Sequence, residues 1–219
     1  MDSTKASALD AEAARLGLGL LRFDYSGHGR SEGRLEDGTI SLWLEEALAI
    51  IRAESKGPQI LLGSSMGGWL ALLAVRALQL AGEGGRVAGL ILIAPAVDFT
   101  EALLWERLPE DARRAIMEKG AWRRPSAYSD EPDVFTRALI EDGRKHLLFS
   151  GMIRTGCPTV VLQGMRDEDV PYAHSLALVQ RLGGDPATLT LIKDGDHRLS
   201  RPQDLELLFA AVERMAEAG

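Results

Sequence analysis

Cysteine is nearly absent. Cys157 is the only one in 219 residues, so no internal disulfide can form and the chain suits a reducing compartment. It stands just before Pro158 and an apolar run, which marks it as a packing residue rather than a reactive thiol. Long apolar stretches are missing too. The most apolar one, Val87 to Val97, is strand-sized and broken by Gly89 and Pro95, too short to cross a bilayer. The opening Met1-Asp2-Ser3-Thr4-Lys5 has neither the basic nor the apolar region of a signal peptide, so a soluble, cytoplasmic protein is expected. Clustered positive charge is also lacking. The formal net charge is −7, and pairs such as Arg113-Arg114 or Arg123-Arg124 read as solvated faces, which argues against a nucleic-acid surface. No His, Cys and Asp group has metal-ligand spacing. The glycine-rich Asp24-Tyr25-Ser26-Gly27-His28-Gly29-Arg30-Ser31 lacks the full spacing of a dinucleotide fingerprint, with Arg30-Ser31 where a helix would start. Neither a metal nor a cofactor is expected.

What remains is an ordinary globular composition, 46% apolar and 26% charged, long enough for one domain with a substantial core. Lys5 to Leu16 reads as a helix capped by Ser3 or Thr4, and Leu18 to Phe23 as a buried strand. Thr39 to Glu54 keeps helical apolar spacing. Gln59 to Leu62 reads as a strand, Met66 to Leu80 as a buried helix, and Val87 to Ile93 as a further strand. A polar, helix-rich insertion follows from Asp98 to Arg154, with Leu103, Leu104, Ile116, Met117, Leu139 and Ile140 as its apolar underside. Thr159 to Leu162 and Thr188 to Ile192 resume the strands, Ala173 to Leu182 is helical, and Pro202 opens a terminal helix. Strands alternating with helices predict a mostly parallel sheet covered on both faces, with reactive loops at the strands' C-terminal ends.

One stretch organises the rest. In Gly63-Ser64-Ser65-Met66-Gly67-Gly68 a strand turns straight into a helix around Gly63-x-Ser65-x-Gly67, and the two flanking glycines admit the close approach this sharp turn needs. Such a turn lifts the Ser65 hydroxyl clear and aims the Met66 N–H at an oxyanion formed beside it. A serine hydroxyl needs a base. His146 falls within an insertion helix and His174 begins a surface helix. His28 precedes Ser65, against the usual order serine, acid, histidine, which suits it to lining a pocket or fixing a loop. His197, between the last strand and the last helix, is the candidate base. Of the acids in Arg166-Asp167-Glu168-Asp169, Asp167 lies nearest the strand end and is the first choice to hold that imidazole, with Asp169 second. Glu168 and Asp196 are expected to be exposed.

Arg22-Phe23-Asp24-Tyr25-Ser26-Gly27, Gly63 to Leu70, Lys119-Gly120-Ala121-Trp122, Pro125-Ser126-Ala127-Tyr128-Ser129 and Asp196-His197-Arg198 together carry a resemblance. The chain resembles the α/β-hydrolase superfamily, and within it the mitochondrial palmitoyl-protein thioesterases that also cleave acyl glucuronides, with their bacterial relatives. The resemblance implies Ser65 as nucleophile, Asp167 as acid and His197 as base. It implies a hydrolase core in residues 1–97 and 155–219, with residues 98–154 as a cap over an acyl pocket. The implied reaction is hydrolysis of acyl thioesters and esters, on a small-molecule or S-acylated protein substrate. A general carboxylesterase of shorter acyl esters is the rival, and an impaired, truncated hydrolase a third reading. The family's first three strands and its His-Gly oxyanion motif have no counterpart here, and Met1 stands where relatives have an internal methionine. The true start is therefore expected upstream of Met1, and a mitochondrial matrix location goes with any presequence there. Without those strands, the sheet must either close up between Leu18–Phe23 and Gln59–Leu62 or leave an apolar gap.

Overall fold

The fold is described from a computed structural model, for residues 3–125 and 132–218. Met1 as a starting point and the Ser126-Ala127-Tyr128-Ser129 part of the motif lie outside the described residues. Helix α1 (Thr4–Arg15) begins at Ser3, whose hydroxyl accepts the Ala6 N–H, and it buries Leu9 and Ala13. Helix α2 (Ile40–Glu54) is capped by Thr39 and buries Ile40, Trp43, Ala47 and Ile51 at helical spacing. The strands are β1 (Gln59–Ser64), β2 (Val87–Ile93), β5 (Thr159–Gly164) and β6 (Ala187–Ile192), with α3 (Met66–Leu80), α6 (Tyr172–Val179) and α7 (Pro202–Ala218) as the remaining long covering elements. They form one parallel sheet in the order β1-β2-β5-β6.

Alternation along the strands assigns each face. Leu90 and Leu92 of β2 and Val161 of β5 pack with Trp43 of α2, Leu72 and Leu73 of α3 and Leu178 of α6. Ile91, Ile93 and Leu162 point the other way, onto Leu9 of α1 and Leu208, Ala211 and Val212 of α7. β2 is thus buried on both faces, which is why its sequence is continuously apolar. No helix among the described residues is long and apolar enough to cross a membrane.

The expected strand at Leu18–Phe23 is not one. These residues carry no ladder, and Leu18, Leu20 and Leu21 are 37%, 41% and 46% exposed. The reason is the sheet edge: among the described residues β1 pairs with β2 alone. With no strand between β1 and residues 18–23, the apolar run has no strand to pair with; the Leu18 N–H instead closes the end of α1 on the Ala13 carbonyl. Of the two outcomes the sequence left open, the sheet does not close up: residues 18–23 form no ladder with β1.

Residues 98–154 contain a π-helical turn (Phe99–Leu104), α4 (Glu110–Lys119), an antiparallel hairpin of β3 (Ala121–Arg124) and β4 (Asp133–Thr136), and α5 (Arg137–Gly143). Leu104, Ile116 and Ile140 form a core there with Trp122 and Phe135, whereas Met117 is exposed. The hairpin was missed in the sequence because each strand is only four residues long. Hydrogen exchange tests the open edge: the amides of residues 19–23 should exchange orders of magnitude faster than those of Leu90–Ile93. Comparable protection of residues 19–23 and Leu90–Ile93 would show strand pairing that this fold lacks.

Candidate active site

The site is built where four strand ends meet their loops. Ser65 holds φ 53° and ψ −124°, a conformation that costs a non-glycine residue on the order of 1–3 kcal/mol. Its backbone is pinned by hydrogen bonds. The Ser65 N–H donates to the Ile93 carbonyl, and its own carbonyl accepts from Gly68 and Ala96. Glycine is needed at Gly63 and Gly68, where an added Cβ would lie 2.3 Å from the Gly67 carbonyl oxygen and 2.9 Å from Pro95. Gly67 has open space around it, so the second steric constraint falls one residue later than the motif suggested. The other non-glycine residues with positive φ among those described, Ala94, Asp98 and Leu199, also follow strand ends on this rim.

A second close approach joins the acid and base loops. At Gly164, the last residue of β5, a Cβ would meet the carbonyl oxygens of Gly195 and Asp196 at 2.4 and 2.5 Å. Only glycine lets the two loops pack this closely. Asp167 then reaches His197: the Nδ1–H donates to Asp167 Oδ2 at 2.8 Å, and Nε2 lies 3.1 Å from Ser65 Oγ. Because Nδ1 carries the proton, Nε2 offers its lone pair to the hydroxyl. Asp167 is itself over-determined. Its Oδ1 accepts the N–H groups of Asp169 and Val170, and its Oδ2 also accepts the Gln163 amide at 3.1 Å. The Asp167 side chain is fully buried and that of His197 is 16% exposed.

The structure therefore brings Ser65, His197 and Asp167 together, with Met66 as the first residue of α3. The first N–H groups of a helix have no intrahelical acceptor. Asp169, the second choice of acid, is exposed and contributes its N–H to Asp167 instead. Glu168 and Asp196 are exposed as well. His28 packs its ring edge-on against Trp43 at 5.1 Å. His146 ends a short 3-10 helix (Arg144–His146) directly after α5, with Nε2 2.7 Å from the Ser41 hydroxyl. His174 does begin α6 and is half-buried; its Nε2–H donates to the Val97 carbonyl at 2.7 Å. Burial pushes His146 and His174 below the ordinary imidazole range. Burial also raises the Cys157 thiol to about 11, which keeps it protonated and inert. Asp167, Asp169 and His197 bring ligand-type atoms within 4.8 Å of one another, but Asp167 and His197 are already bonded to each other.

Sequence reasoning missed Gln163. It is fully buried in β5, donates to Asp167 and to the Gly164 and Val170 carbonyls, and accepts the Ser175 hydroxyl at 2.6 Å. A lone polar residue inside an apolar strand was the available signal. Asp98 was missed as well. Its buried carboxylate accepts the N–H groups of Leu148 and Phe149, joining the start of the 98–154 segment to a point near its end. A cavity of about 220 Å³ opens beside Met66, between the core and this segment, with Trp43, Phe99, Phe135 and Leu139 in its wall.

A parallel sheet covered by helices, with a serine on a strained strand-to-helix bend, defines a class: the chain belongs to the α/β hydrolase family, whose profile matches residues 4–209. More particularly, it is 35% identical over 218 residues to human palmitoyl-protein thioesterase ABHD10, mitochondrial, covering 99% of this chain and 69% of that protein. Among solved structures it resembles mouse ABHD10, with 34% identity, a TM-score of 0.87 and coverage of 100% of this chain and 85% of that one. It also resembles an Agrobacterium vitis S4 protein, with 51% identity, a TM-score of 0.95 and coverage of 98% and 83%.

The Asp98 clamp is open to mutation. Asp98→Ala leaves two buried N–H groups without an acceptor, at roughly 1–3 kcal/mol each. Urea denaturation should show a stability loss on the order of 2 kcal/mol or more, and a smaller loss for Asp98→Asn, which keeps one acceptor oxygen. Equal stability of parent and Asp98→Ala would remove the clamp from the account.

Proposed function

We propose that this chain hydrolyses acyl esters and thioesters through Ser65, His197 and Asp167. The observation that carries the reading is the continuous hydrogen-bond chain from Asp167 Oδ2 through the imidazole to Ser65 Oγ, at 2.8 and 3.1 Å. His197 Nε2 takes the Ser65 proton as Oγ attacks the acyl carbonyl carbon, and the carbonyl electrons move onto oxygen. The Met66 N–H donates to that oxyanion. Collapse of the intermediate breaks the bond to the leaving sulfur or oxygen, which receives the proton from His197 Nε2. Water then repeats the sequence on the acyl-serine: it gives a proton to His197, attacks the carbonyl and releases the carboxylic acid. Asp167 holds the tautomer and stabilises the imidazolium.

Residues 98–154 act in this reading as a cap over the acyl pocket, on a core made of residues 1–97 and 155–219. A thioesterase acting on S-acylated proteins draws support from the relationship to ABHD10, described as a palmitoyl-protein thioesterase of mitochondria. The cavity favours the rival reading, an esterase of shorter acyl groups, because about 220 Å³ is below the roughly 300–1,000 Å³ of sites that enclose larger ligands. A cytoplasmic or matrix compartment, where thiols stay reduced, suits the single buried Cys157.

Labelling with a fluorophosphonate probe tests the assignment. The parent should label and Ser65→Ala should not. Asp167→Asn should retain the fold and lose on the order of 10⁴ in kcat on p-nitrophenyl acetate. Undiminished labelling of Ser65→Ala would overturn the nucleophile.

A further inference from the structure

Gln163 has more acceptors around it than its own burial requires. It follows Val160, Val161 and Leu162 in β5 and is 0% exposed, a place where an amide costs free energy unless its hydrogens and its oxygen are bonded. Nε2 lies 2.9 Å from the Gly164 carbonyl oxygen, 3.0 Å from the Val170 carbonyl oxygen and 3.1 Å from Asp167 Oδ2. All three only accept, so the group facing them is the NH2. Oε1 is then the atom that takes the Ser175 hydroxyl at 2.6 Å. The two carbonyls alone would satisfy both amide hydrogens. The third acceptor is the oxygen that also receives His197 Nδ1–H at 2.8 Å.

The two oxygens of Asp167 are held differently. Oδ1 is fixed by the backbone, through the N–H groups of Asp169 and Val170 at 3.0 and 2.8 Å. Among the described residues, the bonds that reach Oδ2 come from two side chains, His197 and Gln163. Of these only Gln163 stands in the sheet, on a strand between β2 and β6. Ser175, itself 0% exposed on α6, holds the other end of its amide. His197 rides on a loop after β6. The amide therefore sets where Oδ2 stands. With it comes the line along which Nδ1–H points and along which Nε2 meets the Ser65 hydroxyl.

We propose that Gln163 is a positioning residue for the acyl transfer, acting on His197 through Asp167 Oδ2, with Ser175 on α6 anchoring its amide. The inference rests on the serine-hydrolase reading of Ser65, His197 and Asp167. It extends the bonded row to five side chains, from Ser65 on the reactive rim through His197, Asp167 and Gln163 to Ser175. Without the amide the carboxylate is free to turn about its Oδ1 bonds. Misalignment of reacting groups slows a positioned reaction without weakening substrate binding, so the loss falls on kcat. A residue that merely braced β5 or the Asp167 loop would matter equally with or without the Asp167 carboxylate.

The test is a double-mutant cycle on the purified chain with p-nitrophenyl acetate: Gln163→Met and Asp167→Asn, singly and together, with folding checked by circular dichroism. Gln163→Met should lower kcat by a factor on the order of 10–100 and leave KM within about twofold. In the Asp167→Asn background the same substitution should cost less than about twofold, because its route to His197 is already cut. An unchanged kcat in folded Gln163→Met, or the same factor lost in both backgrounds, would overturn the proposal. Gln163→Glu serves if Gln163→Met does not fold. Burial beside the Asp167 carboxylate raises the introduced carboxyl above its ordinary range. As it ionises it repels Oδ2, so kcat should fall with rising pH along a limb that the parent lacks. A profile parallel to the parent's would overturn the proposal as well. Turnover that needs Ser65 but ignores Gln163 contradicts the positioning role alone. No Ser65-dependent turnover in the parent contradicts the hydrolase reading and the proposal with it.

Discussion

The close packing of two loop backbones at Gly164 is the constraint on which the site's geometry depends. An added Cβ there would fall 2.4 Å from a carbonyl oxygen of the loop that carries His197. Any larger residue would push the acid and base loops apart. The 2.8 Å bond between Asp167 and His197 exists because β5 and β6 are adjacent in the sheet and because nothing protrudes between their ends. The bent, hydrogen-bonded backbone at Ser65 completes the arrangement from the β1 side. The strain at Ser65 is offset by backbone hydrogen bonds to the end of β2 and the residues after it, and the buried charge of Asp167 by its four N–H contacts.

That dependence explains what could be read in the chain beforehand. Gly63-x-Ser65-x-Gly67 and the order of serine, acid and histidine are local patterns, so Ser65, Met66, Asp167 and His197 were legible as residues. The strands β2 and β5 were legible because burial on two faces leaves a continuous apolar run. Leu18–Phe23 shows where that logic stops. Its side chains look like those of a buried strand, yet a strand also needs a neighbour to bond with, and local composition carries no record of one. Asp98 was illegible for a related reason: its partner Leu148 lies 50 residues away, and no local spacing encodes such a pair. Gln163, whose partners all lie within 12 residues, left a local mark in its polarity inside an apolar strand.

The segment between Asp98 and Arg154 turns a family scaffold into a particular site. Its own small core holds β4 over Met66, and the Asp98 carboxylate fastens its base. Family membership fixes the fold and the class of chemistry. The walls that this segment shares with α2 and the His28 loop set the size of the cavity beside Met66.

The central claim is that an acyl group passes through covalent attachment to Ser65. Rapid acid quenching during turnover of an activated ester, followed by peptide mass spectrometry, tests it most directly. The account predicts a mass increase equal to the acyl group on the peptide containing Ser65, absent in Ser65→Ala. An adduct on another residue, or turnover persisting in Ser65→Ala, would contradict it.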